Sequence, residues 1–105
     1  MRYANQTTVD ALASDRKLRF VHLQEAINLL FTIENRVGLL MLRDIINASI
    51  GFPSLSVKVG KSDKTLMGML TGRSNPTLDS ISRIVAAIIE HEKLIATTTV
   101  KRAIL

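Results

Sequence analysis

Apolar positions recur every three or four residues along most of this chain, the spacing of amphipathic helices. One such stretch starts at Ser14 or Asp15, either of which can cap it, and carries Phe20, Leu23, Ile27, Leu30 and Phe31 on one face. Leu18, Val21 and Leu29 point elsewhere and form a second strip, for a partner chain or a neighbouring helix to cover. Thr32 to Arg36 reads as a turn, with Asn35 as a cap. Arg36 to Ile50 is apolar nearly all round, which predicts a central helix buried on most sides, with Met41 filling core space. Thr77 to about His91 predicts another helix, striped by Leu78, Ile81, Ile84, Val85, Ile88 and Ile89, with Arg83, Ala87 and Glu90 opposite. At the start, Met1 to Gln6 has no periodicity, and Thr7 or Thr8 can cap a single turn through Leu12. The tail, Leu94 to Leu105, is rich in β-branched residues and reads as strand or helix. A lone strand cannot stand by itself, so the tail frays, continues the helix or pairs with another chain.

The stretch from Gly51 to Ile81 has a different rhythm: two short helices and a tight turn. Ser54 to Val59 forms the first, with Pro53 at or before its first turn, where a missing N–H costs nothing. Gly60 supplies a left-handed stop, and Ser62 caps the second helix. Leu66, Met69 and Leu70 recur on that helix's inner face, and Gly72 ends it. Asn75-Pro76 enforces a loop, and Thr77 or Asp79 opens the next helix. Neither short helix can bury a core alone. Set at a steep angle by a small turn they can share one, which is a helix-turn-helix.

These residues resemble the helix-turn-helix of the phage-repressor-like family, and most closely its addiction-module antidote branch. Gly51, Leu55, Gly60, Ser62, Leu66, Leu70, Gly72, Pro76 and Leu78 stand at the positions of that motif. Thr71 stands for a common Ser, Ser56 for Ala, and Pro53-Ser54 for Thr-Gln. A looser likeness extends upstream through Phe20 to Ala26 and Leu42-Arg43-Asp44-Ile45. The resemblance implies one all-α domain of about five helices around a repressor-like helix-turn-helix. Its parts are an N-terminal arm (1–13), N-terminal helices (14–50), the helix-turn-helix (51–76), a C-terminal helix (77–92) and the tail (93–105). It also implies sequence-specific binding of double-stranded operator DNA, and the role of antitoxin in a type II toxin–antitoxin pair that represses its own operon. A stand-alone or phage-type repressor without a toxin is the alternative, as is a protein-interaction module that has lost DNA binding.

Charge agrees with an anionic partner. The net charge is +5 over 105 residues, and residues 51–105 hold four of the five surplus cations. On the second helix of the motif, Lys64, Gly68 and Thr71 face away from Leu66, while Asp63 and Thr65 sit at the exposed N-terminal end, which in this motif enters the major groove. Lys64 is suited to guanine O6/N7, to a phosphate, or simply to water. Thr65 suits a phosphate or a thymine methyl, and Asp63 suits the helix dipole or cytosine N4. Gly68, costly in mid-helix, suits a place where DNA or the other helix comes close. Arg73, Ser74 and Asn75 follow the helix and are placed to hold phosphates, with Lys58 and Lys61 assisting or solvated. Ser54, Ser62 and Thr71 complete the candidate DNA-binding set.

Other chemistry finds little material. The two histidines, His22 and His91, lie on separate helices without metal-ligand spacing, and there is no cysteine. No phosphate-loop or dinucleotide pattern occurs, so neither an enzyme nor a cofactor is expected. No apolar run reaches membrane-spanning length, and the first residues do not resemble a signal peptide, which fits a cytoplasmic protein. The surplus of apolar residues in the last helix and the tail, with the strip of Leu18, Val21 and Leu29, predicts a homodimer with the tail at its interface; the rival reading is a tail that folds only on a partner protein, which Thr97-Thr98-Thr99 permits.

Overall fold

Asp15 begins the longest helix by accepting a hydrogen bond from the Leu18 N–H at 3.0 Å. Ser14, the other candidate cap, instead ends the helix before it, its hydroxyl donating to the carbonyls of Asp10 and Ala11. In the computed structural model, residues 6–96 and Ala103 are described. Those residues are all-α: α1 Gln6–Ser14, α2 Arg16–Leu30, α3 Asn35–Ala48, α4 Phe52–Val59, α5 Asp63–Leu70 and α6 Leu78–His91. Six helices therefore stand where about five were expected. The additional one is α1, for which a single turn capped by Thr7 or Thr8 was expected. Both threonines lie inside it. Val9 and Leu12, three apart, are buried, and α1 packs on α3 and α2. Packing of this kind sustains a helix too short to persist alone.

The central element is α3, which touches α1, α2, α4 and α5. Its buried side is narrower than its composition suggests. Leu39, Leu42, Ile45 and Ile46 are buried, whereas Val37 and Leu40 reach the surface. The closest crossing is with α2. A Cβ at Gly38 would lie 2.8 Å from the Ala26 carbonyl oxygen, so only glycine lets the two backbones approach this near. On α2, Leu23 and Ala26 are the buried residues. Phe20 and Phe31, expected on the inner stripe, are 42% and 75% exposed, and Phe31 lies past the helix end as its C-cap.

In the second half, α4 begins at Phe52, two residues before the expected Ser54, because Phe52 itself is buried and Pro53 fits the first turn. Thr77 caps α6 by accepting from the Ser80 N–H at 3.1 Å. Ile84 and Ile88 of α6 are buried. Ala87, expected on the outer face, is buried as well, and α4 packs against α6. Leu78, expected inside, is largely exposed.

Glu92, just past α6, is buried and ties distant elements together. Its carboxylate accepts from Arg19 Nε at 2.9 Å and from the Ser49 hydroxyl at 2.6 Å, and its carbonyl accepts from Arg16 at 2.7 Å. Arg19 also donates to the Leu12 carbonyl, closing the end of α1. Burial pushes the Glu92 carboxyl up, but the hydrogen bonds from Ser49 and Arg19 and the positive charges of Arg19 and His91 outweigh it, holding the pKa below its usual value. Lys93 then takes a left-handed conformation (φ 57°), and Leu94 packs on the core. The strand-or-helix choice for the tail falls mostly on residues outside those described; Ala103 is exposed and belongs to neither.

Between α2 and α6 lies an open groove of about 420 Å³, lined by Phe20, Ile27, Phe31, Leu78, Val85 and Leu94 among others. Among the described residues, no helix is long and apolar enough to cross a membrane.

Candidate nucleic-acid interface

The connection between α4 and α5 is Gly60 to Ser62. Gly60 has φ +71°, a conformation that costs other residues energy, and its N–H donates to the Ser56 carbonyl at 2.9 Å. The Ser56 hydroxyl donates in turn to the Lys61 carbonyl at 2.5 Å. An alanine at 56 would fill the same space without that bond, so Ser56 fastens the turn to α4.

From there α5 starts with a satisfied cap. The Ser62 hydroxyl oxygen accepts from the Thr65 N–H at 3.1 Å, and the hydroxyl donates to Thr65 Oγ1 at 2.9 Å. Ser62 is thus committed to the helix, while Thr65 keeps its own hydroxyl hydrogen to donate outward. Ser62, Asp63, Lys64 and Thr65 are all exposed. Leu66, Met69 and Leu70 are buried, so α5 sits sunk on one side, against α3 and α4, with its N-terminal end in solvent. Lys64 enters no ion pair among the described residues.

The other end of α5 is built differently. Thr71 caps it, its hydroxyl donating to the Met67 carbonyl at 2.7 Å, seven residues and about 10 Å along the axis from Lys64. Gly72 follows with φ +88°, and the N–H groups of Arg73 and Ser74 fold back onto the Gly68 carbonyl at 3.0 and 3.3 Å. This is the wrapped helix ending that a left-handed glycine permits. Gly68 is buried, and a Cβ there would meet the Cβ of Arg73 at 3.7 Å. The neighbour close to Gly68 is therefore this turn, where the sequence suggested DNA or the other helix.

Arg73, Ser74 and Asn75 are exposed on the turn. Ser54 is exposed on the first turn of α4, at the opposite end of that helix from Gly60. Lys58 leans toward α6, where it pairs with Glu90 at 3.2 Å. The structure thus gathers Ser62, Asp63, Lys64 and Thr65 at one end of α5 and Thr71, Arg73 and Asn75 at the other.

One residue of this surface was missed in the sequence. Arg36, on the first turn of α3, lays its guanidinium against Gly72, so closely that a Cβ on Gly72 would collide with Nη1. Arg36 and Asn35 line a cleft of about 280 Å³ with Ser74, Asn75 and Pro76. Nothing local marks Arg36, which stands between a polar turn and an apolar helix, far from the motif in sequence. No family model, curated protein or solved structure matches the chain.

Proposed function

We propose that this chain is a sequence-specific DNA-binding transcriptional regulator in which α4 and α5 act as a repressor-like helix-turn-helix. The observation that carries the reading is the posture of α5. One side is sunk in the core, and the capped N-terminal end presents Lys64, Thr65 and Asp63 to solvent. That end is wide open to a major groove, and exposed cations and amides at both ends of α5 suit the flanking phosphates. Lys64 reads a base edge, Thr65 donates its hydroxyl to a phosphate, and Arg73 and Asn75 hold the backbone.

The likeness of residues 51–81 to addiction-module antidotes extends the proposal to an antitoxin that works in the cytoplasm and represses its own operon. The test of that extension is whether an adjacent reading frame encodes a protein whose toxicity this chain relieves. Half-sites about 34 Å apart call for a two-fold dimer, and the apolar groove between α2 and α6 offers it a face. Sedimentation of the full chain at micromolar concentration checks this, and a monomer would refute it.

DNA binding itself is tested by selection from a random duplex pool followed by a salt titration. A recovered consensus is expected, with log K falling against log salt at a slope of roughly −4 to −5 for two or three phosphate contacts per half. Absence of enrichment, or binding indifferent to salt, would overturn the reading.

A further inference from the structure

The geometry points to Arg36 as a phosphate-binding residue of the DNA interface, contributed by α3 from outside the two-helix unit; this rests on the DNA-binding reading. We infer it from three observations. The first is position. Arg36 is 36 residues from Gly72 in sequence, yet its guanidinium rests on that glycine, and Arg36 lines one cleft with Ser74 and Asn75. The second is its chemistry. Arg36 is exposed and enters none of the ion pairs among the described residues, in contrast to Arg19, Arg43 and Arg83, each of which is paired with a carboxylate. An exposed guanidinium that enters none of the ion pairs among the described residues keeps its charge available to an arriving phosphodiester oxygen. The third is the glycine itself. Any side chain at 72 would strain a backbone with φ +88° and also displace the Arg36 head, so the residue that ends α5 leaves the space Arg36 occupies.

A planar fork suits two oxygens of one phosphate, with the Ser74 hydroxyl and the Asn75 amide within the same cleft as further donors. Such a contact fixes the register of α5 on the duplex without reading sequence. Arg36 thus acts as a positioning residue for Lys64.

The test is a salt titration of binding to a short labelled duplex of mixed sequence, by fluorescence anisotropy, for the full chain and for Arg36→Gln and Arg36→Lys. The wild type is expected to show a steep slope. Arg36→Gln should lose about 0.9 of it per copy bound. Arg36→Lys should keep the slope, and the melting temperature of both variants should match the wild type, because the side chain is exposed. A merely supportive contact with the Gly72 turn would shift melting and leave the slope alone. A steep wild-type slope retained in Arg36→Gln would overturn the assignment of Arg36 and leave DNA binding standing. A flat wild-type slope would overturn both.

Discussion

Two groups of cations in this molecule stand in opposite surroundings. Around Glu92, Arg19 and Arg16 are consumed by the protein: one grips the carboxylate, the other the carbonyl of the same residue. Around α5, Arg36, Lys61 and Lys64 are exposed and enter no ion pair among the described residues. Arg19 and Glu92 are 15% and 8% exposed, so water cannot stand in for either partner. The difference separates charge that is paired within the fold from charge that faces solvent. A surplus of cations in a sequence does not reveal which is which, because the deciding carboxylate lies on another helix.

The largest expected effect breaks the first group. Glu92→Ala strands Arg19 and leaves the Ser49 hydroxyl without its acceptor. Breaking a partly buried ion pair of this kind should cost about 3 kcal/mol in urea unfolding. The salt slope of DNA binding by the folded fraction should not change. A stability loss under about 1 kcal/mol would mean that the Glu92 network is dispensable.

The same junction has a pH signature. The folded pKa of Glu92 lies below its usual 4.5, so the stabilisation is fully present above that value and is lost as pH falls through the folded pKa. The stability gap between wild type and Glu92→Gln should therefore narrow on acidification below 4.5. A gap that widens would reverse the sign of the linkage.

Breaking the second group should do the converse. Lys64→Ala is expected to relax preference at one base by about 1–3 kcal/mol in competition binding. Its thermal stability should stay within about 0.5 kcal/mol of wild type. Arg73→Ala should weaken all sequences about equally. If Arg73 controlled base preference and Lys64 did not, the two roles would be exchanged.

The smallest effect sharpens the boundary between the groups. Ser62 stands among the exposed residues of α5 but is used by the fold, as a cap. Ser62→Ala should cost about 1 kcal/mol in stability, with any loss of DNA affinity following from fraying of the first turn. A loss of base preference in a fully folded Ser62→Ala chain would assign the hydroxyl to DNA instead.

Much of this architecture is local and was legible residue by residue. Asp15, Ser62 and Thr77 cap helices through bonds to N–H groups three residues on, and Gly60 and Gly72 take the left-handed conformations their positions suggest. Leu66, Met69 and Leu70 share a buried face because three- and four-residue spacing dictates it. Those features are set within one or two helical turns, so the sequence narrowed the caps to Ser62, to Ser14 or Asp15, and to Thr77 or Asp79, and the structure selected Asp15 and Thr77. What lies further apart was decided by packing. Helix α1 exists because Val9 and Leu12 find α3 and α2. Ala87 turned out to be buried, where the helical stripe had placed it outside. Ala26 meets Gly38 where two backbones cross, and Glu92 reaches Arg19 across 73 residues. Arg36 arrives at Gly72 in the same way, from a helix whose pattern speaks only of burial. A periodic pattern fixes which residues share a face; it carries no information about which other face arrives, and that meeting placed Arg36 on the surface beside α5.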